Sequence, residues 1–174
     1  SISSFSQKKT DAREFYEFRI YHYTSQEQGL QINTYLEKAL LPALHRQGIK
    51  NIGVFYAISN DTAAVKDIYV LTPYPNLNAK LKTDNQLLSD KIFLEDGKDY
   101  INASYDKSPY SYFETILMQA FRDAPIMQKP ALSGPRDKRV YELRSYESAT
   151  EKIYRNKVEM FNEGGEVVLF KRLG

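Results

Sequence analysis

Glu17, Arg19 and Tyr21 stand two residues apart, and the same three residue types recur at the same spacing as Glu142, Arg144 and Tyr146. On an extended chain a spacing of two puts side chains on one face. Each triplet therefore presents a carboxylate, a guanidinium and a phenol side by side. Buried charges must be paired and hydrogen-bonded. The triplets suit either a network that fixes the register of two packed sheets, or the polar wall of a pocket in which Arg19 or Arg144 holds an anionic or carbonyl-bearing small molecule. The residues alone admit both readings, and neither triplet contains a nucleophile, so the catalytic set is unknown.

Tyrosine is frequent, 14 of 174 residues, and tryptophan is absent. Tyr56, Tyr69 and Tyr112 fall on expected strands and are candidates for lining the same cavity, although such tyrosines more commonly pack cores and rims. The two histidines are His22 and His45. By parity His22 belongs with Phe18 and Ile20 on the side expected to face the helices, with a capping or surface role. His45 stands near a helix C-terminus, where an imidazolium is favoured, and is the one histidine kept as a pocket candidate. No carboxylate stands one helical turn from either, so no metal site is expected. Glu95, Asp96 and Asp99, interleaved with Lys91 and Lys98, read as a solvated loop. There is no nucleophile elbow, phosphate-binding loop, dinucleotide fingerprint or zinc-protease motif.

The elements that position these residues follow from periodicity. Residues 14–23 alternate and are rich in aromatic residues, which predicts a strand. Residues 25–47 carry Leu36, Leu40 and Leu44 on one helical stripe, closed by Gly48, with Pro42 expected to kink or restart the helix. Residues 51–59 and 66–74 read as a hairpin around Asn60-Asp61-Thr62, residues 76–89 as a second helix, and residues 110–121 as a fourth strand. Residues 90–109 are expected to be an insertion. The order is the split β-α-β-β-α-β arrangement of a ferredoxin-like α+β fold.

A repeat extends this plan. Tyr16-Glu17-Phe18-Arg19-Ile20-Tyr21 returns 125 residues later as Tyr141-Glu142-Leu143-Arg144-Ser145-Tyr146, with four identities in six. Turns rich in Ser, Thr and Glu, then helical patterns, follow both copies. The expected organisation is a flexible tail over residues 1–12, a first module over 13–122, a proline-containing linker over 123–138, and the opening strand and helix of a second module over 139–174. A sheet with both helices on one face must bury its other face. The expected lid is a second such sheet, supplied by self-association or by the missing half of the second module.

Composition bounds the rest. The chain carries 24 Lys plus Arg against 22 Asp plus Glu, scattered rather than striped, which argues against a nucleic-acid surface. Without cysteine there is no disulfide, thiolate or iron–sulfur chemistry. No apolar run is long enough to span a membrane. The Ser-Ile-Ser-Ser-Phe start reads as what remains after a signal peptide or tag is removed, which slightly favours an exported, periplasmic location over a cytoplasmic one.

The strand Tyr141–Tyr146, its echo at Tyr16–Tyr21, and the segment Leu41-Pro42-Ala43-Leu44-His45-Arg46-Gln47-Gly48 resemble NIPSNAP-domain proteins, particularly the two-module bacterial type. The resemblance spans most of residues 13–174 and implies the dimeric α/β-barrel superfamily, with the second copy truncated here. That superfamily includes cofactor-free monooxygenases and haem-binding or haem-degrading members. No catalytic set carries over. The expectation is therefore an uncharacterised small-molecule-binding protein without a cofactor, the alternative being a monooxygenase-like enzyme acting on an aromatic, quinone or haem substrate.

Overall fold

A computed structural model describes residues 12–173 of the chain. Apart from Ala12, the tail expected over residues 1–12 lies outside the described residues. The chain divides into a compact unit over residues 14–119 and a second built from residues 120–173 together with Ala12 and Arg13.

In the first unit four strands, β1 (Phe15–Tyr23), β2 (Gly53–Tyr56), β3 (Lys66–Tyr74) and β4 (Tyr112–Gln119), form one sheet in the order β2-β3-β1-β4. All neighbouring strands are antiparallel. This is the ferredoxin-like order, with two crossovers that each skip one strand. The first crossover is α1 (Gln26–Tyr35), a π-helical turn (Leu36–Leu40) and α2 (Leu41–Arg46). The second is α3 (Leu77–Leu87), α4 (Lys91–Asp96) and α5 (Lys98–Ile101).

Both crossovers lie on the same face of the sheet. Ile32, Leu36, Leu40 and Leu44 from the first pack with Leu87 and Phe93 from the second over Tyr21, Tyr23, Ile68 and Val70 of the strands. Helix starts follow side-chain chemistry: Ser25, Asn76 and Asp90 each accept a hydrogen bond from a backbone N–H of the first turn. Pro42 stands in the first turn of α2, where the helix restarts as expected. The N–H of Leu41 reaches back to the carbonyl of Leu36, so the helix widens by one residue immediately before the proline. Gly48 then ends the helix in the left-handed region at φ 87°.

The stretch expected as an insertion, residues 90–109, is part of this fold. Asp90 Oδ1 accepts from the backbone N–H groups of Ile92 and Phe93, both at 3.0 Å, and starts α4. Phe93 is buried in the common core. Its acidic residues coat the outside of helices rather than a loop, because one aromatic anchor and one N-cap suffice to order the segment.

The second unit holds α6 (Glu151–Asn162) and α7 (Glu166–Leu173). Phe121 and Tyr146 both pack on Phe161, with ring centroids 4.9 and 5.5 Å away, and the Lys157 ammonium lies 4.7 Å from the Tyr146 ring. The helix expected to open a second module is present. The strand expected before it is not: residues 139–147 pair with no other strand among the described residues. A strand exists only through the hydrogen bonds of a neighbour, and none of the described backbone supplies them.

Gly29 lies in α1 where a Cβ would come 2.6 Å from Tyr23 Cε2, inside the core. Gly29→Ala is expected to destabilise the fold by roughly 1–3 kcal/mol in urea unfolding through overpacking. Helix propensity taken alone predicts a gain of about 1 kcal/mol, so the sign of the change decides between the two effects.

Candidate functional site

The strand register decides where the Glu17, Arg19 and Tyr21 side chains go. They sit opposite Thr72, Val70 and Ile68 of β3, and Tyr21, Ile68 and Val70 belong to the core beneath the helices. The triplet therefore lies between sheet and helices, not on the outer, sheet-to-sheet face where it was expected. Phe18 and Ile20 take that open face instead. The expected alternation along β1 is present, with the opposite face under the helices. Both faces of β1 offer apolar or aromatic surface, so apolarity alone does not say which is covered by helices.

Within this layer Glu17 is only 2% exposed. Its Oε1 lies 2.9 Å from the Lys80 ammonium of α3, and its Oε2 2.9 Å from an Arg19 terminal nitrogen. The Arg19 approach is a charge contact without the alignment of a hydrogen bond, and Arg19 Nε is buried with no hydrogen-bond partner. Lys80 is held from its other side by Asp84 Oδ2 at 2.6 Å, one helical turn away on α3. The result is a neutral row of alternating charges, Arg19, Glu17, Lys80 and Asp84, running from β1 into α3.

Four phenols surround the row. Tyr35 and Tyr100 stack with their centroids 3.9 Å apart, Tyr100 meets the Tyr21 ring edge-on, and the Tyr74 hydroxyl interacts with Glu17. Burial pushes the pKa of all four upward. Arg19 lowers that of Tyr21 in part, without reversing the shift. Burial also works against the charge on Arg19, but Glu17 and the neighbouring phenols hold the guanidinium proton more tightly than usual. Lys80 behaves alike: burial opposes its charge, and the hydrogen bonds to Asp84 and Glu17 raise its pKa. The layer thus offers a fixed cation and neutral hydroxyl donors. Tyr35 and Tyr100 also line an open groove of about 390 Å³, together with Gln31, Thr34 and Lys107.

The remaining candidates fall in three other places. Tyr56 and His45 meet in a second groove, described below. Tyr69 and Tyr112 lie on the open face of the sheet, with His22, which the sequence had placed toward the helices. His22 Nδ1 is 2.6 Å from Asp67 Oδ1 and Nε2 is 2.9 Å from Glu114 Oε1, so it clamps β1 to both neighbouring strands. Tyr112 stacks on its ring and Tyr69 donates to Asp67. Both ring nitrogens of His22 are engaged by carboxylates, so neither is left facing a substrate or a metal. Glu142 and Arg144 bond to each other at 2.8 Å in the second unit, where both are exposed, as is Tyr146. Each Glu/Arg pair closes on itself. Tyr35, Tyr74, Lys80 and Tyr100 were not singled out from the sequence. The Lys80/Asp84 spacing puts the two on one face of α3, and nothing local tells which strand face α3 covers.

A search of solved structures returns the same architecture. A NIPSNAP family protein with unknown function from Agrobacterium tumefaciens aligns over 67% of this chain and 96% of its own length, with a TM-score of 0.50 at 16% identity. This chain has the fold of that NIPSNAP structure. An uncharacterized NIPSNAP domain protein from Burkholderia xenovorans aligns over 70% of this chain and 98% of its own, with a TM-score of 0.45 at 14% identity. A dimeric ferredoxin-like protein from an uncultured marine organism covers 67% and 99%, with a TM-score of 0.40 at 11% identity. No family model matches the chain and no curated protein does. At 16% identity the first of these likenesses speaks for the fold and for no chemistry.

Removing the Glu17 carboxylate leaves two half-buried cations, Arg19 and Lys80, without the anion between them. Glu17→Ala is expected to cost about 3 kcal/mol or more, whereas replacing Glu17, Arg19 and Lys80 together by Met, Leu and Met should come close to neutral; denaturant unfolding of both variants checks this. A second expectation concerns alkali. Because the folded state raises the phenol pKa values above the ordinary value of about 10, their contribution to stability is complete below that pH. It is lost as pH rises through the raised folded values. Absorbance titration should therefore find Tyr21, Tyr35, Tyr74 and Tyr100 silent while the chain is folded and ionising together with alkaline unfolding.

Proposed function

We propose that this chain binds a small molecule bearing a carboxylate or carbonyl group in the layer between the sheet and its helices. Arg19 is the anchor, and Tyr21, Tyr35, Tyr74 and Tyr100 are the walls. The observation that carries this reading is the buried Arg19 Nε, which has no hydrogen-bond partner. A buried donor without an acceptor costs on the order of 1–3 kcal/mol, and a ligand oxygen relieves that cost. The route inward starts at the groove lined by Tyr35 and Tyr100, and Tyr100 packs edge-on against Tyr21. Phenols that stay protonated donate to the ligand, and the guanidinium supplies a charge that does not titrate.

Binding is favoured over catalysis because the groups assigned to the site are held away from neutral titration, whereas a general acid or base works best near the ambient pH. The test uses the intrinsic tyrosine emission of this tryptophan-free chain. Benzoate and 1,4-naphthoquinone should each change that emission saturably. Arg19→Lys keeps the charge facing Glu17 and removes the Nε donor, and it should weaken the binding roughly tenfold. Equal binding by Arg19→Lys, or no saturable change with either probe, overturns the reading. Oxygen uptake during the naphthoquinone titration would instead support a monooxygenase-like activity.

A further inference from the structure

The second groove is separate from the Arg19 layer and has a different chemical character. About 450 Å³ in volume, it lies over the π-helical turn and the edge strand β2, and is lined by Asn33, Leu36, Glu37, Leu41, Pro42, His45, Val54 and Tyr56. Leu36, Leu41, Pro42 and Val54 make its walls apolar. No Lys or Arg lines it, and Glu37 is its only carboxylate. The Tyr56 hydroxyl donates to Asn33 Oδ1 at 2.7 Å, which spends the phenol's proton and leaves its oxygen lone pairs to accept. Glu37 lies near enough to the Tyr56 oxygen to help raise that phenol's pKa, after burial and Tyr23.

The backbone adds to this bias. The N–H of Leu41 is committed to Leu36, and Pro42 has no N–H to give. One carbonyl of the widened turn therefore goes without its helical donor. π-turns inside α-helices recur at functional sites, and here the turn forms the floor of a groove. Apolar walls, one carboxylate and a surplus of acceptors complement a ligand that brings an apolar body and a positively charged donor.

We propose that this groove is a binding site for a protonated organic amine, with the ammonium on Glu37 and the hydrocarbon portion against Leu36, Leu41, Pro42 and Val54. His45 and Tyr56 border the ammonium end. The site is independent of the layer at Arg19, shares no residue with it, and takes ligands of the opposite charge.

The test is a titration of the full chain with 2-phenylethylamine at pH 7, followed by amide chemical shifts. Saturable shifts are expected at Glu37, Leu41, His45, Val54 and Tyr56, with weak affinity because the groove is open. Glu37→Gln, an exposed substitution that keeps size and hydrogen bonding, should weaken binding roughly fivefold, the size of an exposed charge pair. 3-Phenylpropionate, with the same ring and the opposite charge, should leave these amides unmoved. Equal response to the acid, an unchanged affinity in Glu37→Gln, or shifts confined to other residues each overturn the proposal. Arg19→Lys should leave this titration as it is, so failure of the other site and failure of this one are told apart.

Discussion

A carboxylate that is 2% exposed must be answered by cations, and Glu17 draws one from each of two elements: Arg19 from its own strand and Lys80 from α3. Taking charges out of water costs several kcal/mol each, and the cost is recovered only when partners are close and well placed. The requirement therefore does more than hold the layer together. It admits only a docking of α3 that brings Lys80 over Glu17, with Asp84 balancing the charge on the far side of Lys80. The phenols fill the space around the row because each offers a ring for packing and a hydroxyl for the charges.

The two faces of the sheet consequently carry different chemistry. The face under the helices holds the ion row and the phenols around Tyr21. The open face holds Phe18 and Ile20, and is stitched across three strands by His22, Asp67 and Glu114. The histidine's two nitrogens tie β3 and β4 to β1 at one end of the sheet, while Glu17 ties α3 to β1 nearer the other. Binding is assigned to the helix side because the Arg19 Nε is buried there without a hydrogen-bond partner.

The first crossover shows how a local conflict becomes a feature. A proline inside an otherwise good helix removes one hydrogen bond and crowds the preceding turn. Here the chain widens by one residue at Leu36–Leu40 and keeps its apolar stripe, Leu36, Leu40 and Leu44, in the core on both sides of the change. The widened turn leaves Glu37, Pro42 and His45 bordering a groove rather than coating a smooth helix.

Much of this molecule was determined by the sequence alone: the four strands, the first helix with its stripe and its glycine stop, and the split order of elements. Period and turn chemistry act within a few residues and need no distant partner. The pairing of Glu17 with Arg19 was also local, since residues two apart on a strand share a face. Which face the helices covered was decided by tertiary structure, because Glu17, Arg19 and Tyr21 become tolerable under helices only once Lys80, Tyr74, Tyr35 and Tyr100 arrive from elsewhere in the chain. The same reason separates the two copies of the repeated motif. Tyr16–Tyr21 has β3 and β4 to receive its backbone hydrogen bonds, whereas Tyr141–Tyr146 has no strand beside it among the described residues, and so the same six-residue pattern is a strand in one place and not in the other.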